Sequence, residues 1–259
     1  MPVLTEINQI ISLLEAEMPA SLLNPKNQRL EGRLQRELSK YFKLLIAAFP
    51  YNKVDQLYNK YVTEQLGSET RDILDPILAM LSEELSVNLN GFMVSVYLSA
   101  SADMITWGTT KGGIPIAYEG PPIQQAISYA ERHAAQLVTQ MDAETKRRLA
   151  QAISEGIKNK RGVPGLARDI RNQFDDMSRR RSVMIARTET NDALSQAFMD
   201  RAKDMNIPSK EWVSHDPCEI CGGNEGEGVV PIDHTFSSGH IRPPAHPNCR
   251  CALAPVIIE

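Results

Sequence analysis

Cysteine is missing from the first 217 positions of this 259-residue chain; all four cysteines fall between Cys218 and Cys251. No apolar run reaches the roughly 18 residues of a transmembrane helix. The opening segment MPVLTEINQIISLLEAEMPA has acids among its apolar residues and no basic n-region, so it does not read as a secretory signal. Net positive charge is absent too. Lys+Arg number 28 against 32 Asp+Glu, for a formal net charge of -4 and a pI near 5.8. That balance excludes binding of nucleic acid over the whole surface and leaves room for a local basic patch. There is no internal repeat and no low-complexity tract. With nothing to suggest export, the chain is expected to stay in a reducing cytoplasm, where clustered thiols hold metal more often than they form disulfides. Hydrophobic residues at 42% and charged residues at 23% are ordinary for a globular protein long enough for one large domain or two smaller ones.

What is present is mostly helical periodicity. Leu4, Ile7, Ile11, Leu14 and Met18 share one helical face, and Leu30, Leu34, Leu38, Tyr41 and Leu45 do so after the break at NPKN. Phe49-Pro50 ends that second helix, because a residue before proline is pushed out of the α region. A third stretch starts near Ser68, and Pro76 within it either starts the helix afresh or kinks it. Residues 91–120 change character; GTTKGGIP reads as a turn or exposed loop, and a hinge or domain boundary is expected there. Pro121-Pro122 opens a strong helix with Ile123, Ile127, Ala130, Ala134, Leu137 and Met141 as its apolar stripe. Asp142 is placed as the N-cap of the next helix, which stops near Gly162. A short helix GLARDIRNQF follows, then a longer one from about Ser178 to Met205. KEWVSH and CALAPVIIE read as strands on either side of a Cys/His loop at 215–256. The fold class is therefore mainly α, with a small C-terminal α+β domain stapled by zinc.

The loop carries the chemistry. Cys218-x-x-Cys221 can place two sulfurs on one ion, with Gly222-Gly223 permitting a tight turn, and Cys249-x-Cys251 supplies two more. The intervening stretch, rich in glycine and proline, is expected to bury little apolar surface and to need an external clamp. Structural zinc contributes roughly 10–16 kcal/mol in small peptides, against a loop-closure cost on the order of a few kcal/mol. Side chains of a C-x-C alternate sides on a regular strand. Either the backbone bends there, or one of Cys249 and Cys251 is not a ligand and His246 replaces it; the four-sulfur site is the favoured reading, with His246 in reserve. Arg242 and Arg250 are candidates to donate hydrogen bonds to the thiolates. The competing readings are four reduced cysteines without an ion, and two disulfides.

Two further constellations stand out. The stretch 158–187 holds Lys158, Lys160, Arg161, Arg168, Arg171, Arg179, Arg180, Arg181 and Arg187, opposed by Asp169, Asp175 and Asp176. It is either a solvated face or a contact with phosphates of DNA; without interleaved aromatics it offers no base stacking. The second is IDHTF with Asn248 between the cysteine pairs, a layout similar to HNH nucleases, in which His234 would be the base and His240 or His246 a metal ligand. The plainer reading of His215, His234 and His240 is exposed loop histidines, and of His133 a partly buried helix-face residue.

Three motifs together resemble one family. ARTETNDALSQAF (Ala186–Phe198), EWVSHDPCEICGG (Glu211–Gly223) and PPAHPNCRCALAPV (Pro243–Val256) look like the signature of the phage Mu F-like minor head proteins: an A-R-T-E helix, a W…D-x-x-C-x-x-C turn and an H-P-N-C-R-C close, in that order. The resemblance covers roughly residues 120–256. It implies a non-enzymatic component of the virion head, made in the bacterial host cytoplasm and involved in head morphogenesis. Its implied partners are the portal protein, the major capsid protein and packaged double-stranded DNA. Relatives fused to portal or toxin domains keep a toxin-like effector, beside the nuclease, as an alternative. The family's functional positions fall on Arg187, Thr188, Glu189, Cys218, Cys221, His246, Cys249, Arg250 and Cys251. A longer acidic GGNEGEGVV replaces the apolar glycine-containing turn usual between the cysteine pairs. Arg187 and Glu189, two residues apart, do not share a helix face; Arg187 is expected to buckle the helix to the metal loop, with Asp216 or the loop itself as its partner. The division expected is a helical region 1–110 facing portal or capsid, and a Mu F-like domain 120–259.

Overall fold

The computed structural model describes residues 18–54, 69–114, 120–159 and 161–257. The stripe from Leu4 to Leu14 lies outside them, as does Lys160. The described architecture is mainly helical with a small three-stranded antiparallel sheet.

Helix α1 spans Pro25–Ala48. Asn24 accepts the Lys26 N–H on its side chain (2.9 Å), and Pro25 fills the first helical position, where a missing N–H costs nothing. Leu34, Leu38, Tyr41 and Leu45 are buried as the spacing requires, while Leu30 is half-buried. After Phe49-Pro50 comes a 3-10 turn, Tyr51–Lys53.

Helix α2 spans Glu69–Thr110, with Pro76 inside it, and takes in the first part of the 91–120 segment. The reason is burial. Leu74, Leu78, Leu81, Leu85 and Leu89 continue into Phe92, Met93, Val96, Tyr97, Ala100 and Met104, all below a tenth exposed. Each large side chain contributes roughly 1.5–3 kcal/mol. That outweighs a glycine cost of about 1 kcal/mol at Gly91 and a proline cost of about 3 kcal/mol at Pro76. The turn follows at 111–114, within GTTKGGIP, where Gly113 adopts φ 61°.

Helix α3, Ile123–Lys158, corrects an expectation: it does not restart at Asp142. The Asp142 carboxylate instead accepts hydrogen bonds from Tyr41 (2.9 Å) and Ser82 (2.9 and 3.0 Å), and burial raises its pKa. A side chain committed to tertiary partners is no cap. Ala130, Ala134, Leu137 and Met141 are buried, but Ile123 is exposed. Helix α4 spans Val163–Asp176, with Pro164 in its first turn. A π turn, Met177–Arg181, joins it to α5, Ser182–Asp204.

Strands β1 (Ser209–Val213), β2 (Val229–Pro231) and β3 (Ala252–Val256) form a sheet of order β2-β1-β3, with Trp212 opposite Leu253 and Lys210 opposite both Val230 and Pro255. Helix α6, Glu219–Glu225, stands between β1 and β2. The loop is thus better furnished than expected: Trp212, Phe236, Val230 and Leu253 are buried, and Trp212 packs edge-on to Phe236 at 5.1 Å.

The chain compacts as two units, neither continuous in sequence. The first holds 18–35, the described part of 91–130, and 184–257; it contains the sheet, most of α5 and the Cys/His loop. The second holds the described parts of Arg36–Asn90 and Glu131–Val183, with Tyr41, Ser82 and Asp142 at its polar centre. A cut at 110–120 therefore follows motif content; the packing units cross it. Among the described residues no helix is long and apolar enough to cross a membrane.

Candidate metal centre

Cys218 stands at the N-cap of α6 and Cys221 lies in its first turn, with Gly222 and Gly223 helical behind them. The second pair arrives differently. Asn248 turns in the left-handed region at φ 65°, and β3 begins at Ala252. That bend, off the regular strand, lets both Cys249 and Cys251 face the first pair despite their C-x-C spacing.

Two groups of donors result, each with its ligand atoms within 4.8 Å of one another: Cys218, Cys221 and His246, and Cys221, Cys249 and Cys251. Cys221 belongs to both. Its sulfur lies 3.9 Å from that of Cys249 and 3.2 Å from His246 Nε2, which is 3.3 Å from the Cys218 sulfur. Zinc–sulfur bonds of about 2.3 Å in a tetrahedron separate two sulfurs by about 3.8 Å, so the Cys221–Cys249 spacing suits one ion. His246 Nδ1 faces the Pro247 carbonyl at 2.9 Å. A proton assigned there by the network leaves the Nε2 lone pair aimed at two sulfurs, the tautomer a metal ligand needs. Cys218 is exposed, and Cys221, Cys249 and Cys251 are buried.

The thiols cannot all ionise unaided. Hydrogen bonding from the Cys249 thiol, then from the His215 backbone N–H, holds Cys251 below the usual thiol range. Cys249 is pushed up, first by sharing that proton with Cys251 and then by burial; burial also raises Cys221. The backbone N–H of Cys221 lowers exposed Cys218. The Trp212 indole N–H has no partner at ordinary hydrogen-bond distance, so its help to the Cys251 thiolate is a longer-range contact. A divalent ion would remove the conflict by letting several thiolates coexist. The donor set fits zinc, with five candidates for four positions.

Helix α5 grips the second pair. Arg187 donates from Nε to Glu31 (3.2 Å) and from a terminal nitrogen to Asn248 Oδ1 (3.1 Å). Thr188 Oγ1 accepts the Asn248 backbone N–H at 3.1 Å. Asn191, wholly buried, donates from Nδ2 to the carbonyls of both Cys249 (3.0 Å) and Cys251 (3.2 Å). Positions 187, 188 and 191 lie on one face by the three- and four-residue rule. Sequence reasoning passed over Asn191; the available signal was a poor helix former in mid-helix, beside the Thr190 and Ala193 stripe.

Several expected partners are elsewhere. Asp216 is exposed at φ 50°, and Arg187 is paired to Glu31 and Asn248 instead. Arg242 does not touch a sulfur; it donates to Asp192 Oδ1 (2.6 Å) and Gln196 Oε1 (3.1 Å), anchoring the loop to α5. Arg250 is half-buried and, among the described residues, makes no hydrogen bond to a sulfur. Glu189 is half-buried on α5. In the basic run, Arg181 cannot meet a phosphate. It is 6% exposed, donates to Thr145 Oγ1 (3.2 Å) and the Met141 carbonyl (3.4 Å), and burial lowers its pKa to about 10. Lys158, Arg161, Arg179 and Arg180 are exposed, with Arg161 near Asp169 (3.4 Å) and Arg180 near Asp176 (3.6 Å).

No curated protein and no solved structure matches the chain. Residues 143–254, which run from within α3 to the third residue of β3 and include all five candidate ligands, match the family described as phage Mu protein F like protein, the family that the three motifs resemble.

Proposed function

We propose that the chain is a structural minor head protein of a tailed phage or prophage. In this reading it is made in the bacterial host cytoplasm and built into the virion head. It docks on the portal or major capsid protein, takes part in head morphogenesis and contributes to DNA ejection. The observation that carries the reading is the family match over 143–254, in a region where all three motif segments meet around one cluster. Zinc is the structural ion, held by Cys218, Cys221 and Cys249 with Cys251 or His246 completing the set. Packaged double-stranded DNA is met by Lys158, Arg161, Arg179 and Arg180, through phosphates and without sequence choice. With an epitope tag on the chromosomal copy, the protein should co-sediment with DNA-filled heads after prophage induction. Its recovery only in the free soluble fraction, with heads of normal composition, would sink the proposal.

One observation favours a second reading, a metal-dependent nuclease. His234 Nε2 lies 2.9 Å from Glu227 Oε2, and a histidine oriented by a carboxylate is the arrangement of a general base. Against it, β3 rather than a helix follows the second cysteine pair. Purified protein with added magnesium or manganese is expected to leave supercoiled plasmid intact. Nicking that vanishes in His234→Ala would replace the structural reading.

A further inference from the structure

The side chain of Lys210 is a fully buried cation, on which exposed Asp233 acts through its charge and not through an ion pair. It projects from β1, is 0% exposed, and forms no ion pair among the described residues. Its Nζ donates to the carbonyls of His234 (2.8 Å) and Ile241 (2.7 Å) and lies 5.3 Å from the centre of the Phe236 ring. Burying an ammonium group is costly unless hydrogen bonds replace its water, and here two carbonyls and an aromatic face do so. Burial lowers its pKa to about 8.

The residues around it close on themselves. Phe236 N–H donates to the His240 carbonyl (2.9 Å) and Gly239 N–H to the Phe236 carbonyl (2.8 Å). Glu227 accepts the Ser237 N–H (2.7 Å) while it holds His234. None of these groups belongs to the Cys/His cluster of Cys218, Cys221, His246, Cys249 and Cys251. Arg242, next in sequence after Ile241, is fixed to Asp192 (2.6 Å). Trp212 is the seam, with Phe236 on one side and the Cys251 sulfur beyond.

We infer that Lys210 is a positioning residue that folds residues 234–241 around its ammonium group, and that it does so whether or not an ion occupies the cysteine cluster. The loop then has two clamps: coordination shapes 218–221 and 246–251, and an internal cation shapes the 234–241 turn between them. This goes beyond the head-protein reading and does not depend on it.

The test is amide exchange and side-chain NMR on the full chain, first as purified and then after chelator treatment. The amides of Phe236, Ser237 and Gly239 should keep their protection in chelator, and the Lys210 ammonium protons should exchange slowly in both states. In Lys210→Met the same amides should exchange at least about tenfold faster, with metal content unchanged. Loss of protection at these amides on chelation of the wild type would overturn the inference. So would Lys210 protons that exchange as fast as those of a surface lysine, a reading that needs no variant to fold.

Discussion

Cys221→Ser should empty the metal centre: about one ion per chain in the wild type, close to none in the variant. The expectation rests on position. Cys221 is the donor common to both ligand groups, it is 1% exposed, and its sulfur is within 4 Å of both Cys249 and His246. Serine offers a hard oxygen that stays protonated near neutral pH and cannot take over from a thiolate. Cys218→Ser, on the exposed rim, leaves four other donors and should keep a large share of the metal. Metal analysis of both variants, purified without chelator, checks this. Full occupancy in Cys221→Ser would show that the cluster does not bind where its geometry converges. Far-ultraviolet helicity should persist, because α1 to α5 bury their apolar stripes without help from the cysteines.

Asn191→Leu should cost about 3 kcal/mol of folding stability, and up to roughly 5. Leucine fills the space but leaves two buried carbonyls, those of Cys249 and Cys251, without donors, at about 1–3 kcal/mol each. Set against a total of about 5–15 kcal/mol, that is a large fraction. Ser195→Ala is the control: Ser195 meets the other end of the same amide at 3.4 Å, and its loss should cost under about 1 kcal/mol. Chemical denaturation followed through Trp212 measures both. An Asn191→Leu variant as stable as Ser195→Ala would mean that the carbonyls find other donors and that α5 does not shape the loop.

The sequence carried some of this openly and hid the rest. Asn24-Pro25 and Phe49-Pro50 mark the ends of α1 because capping and proline sterics act within a few residues. The cysteine pairs are legible for the same reason: ligand spacing is local. Asp142 misleads because its local meaning, a cap, is overruled by Tyr41 and Ser82, which no nearby residue announces; Pro76 stays inside one helix because the leucines around it are buried. Arg181 is indistinguishable from Arg179 and Arg180 in a basic run; only the π turn and the packing of Phe42 decide which of the three turns inward. Lys210 shares a strand face with buried Trp212 two residues on; its charge alone argues for solvent, and it is buried because two carbonyls from 24 and 31 residues downstream come to meet it.

The cysteines and histidine of the cluster all come from one short stretch, but the amide that orients the C-x-C backbone comes from 58 and 60 residues upstream. A peptide excised around Cys218–Cys251 would keep every donor and lose that tether. It would then settle into a wider mixture of coordination isomers, drawing any four of the five donors onto the ion, where the intact chain holds the carbonyls of Cys249 and Cys251 in place.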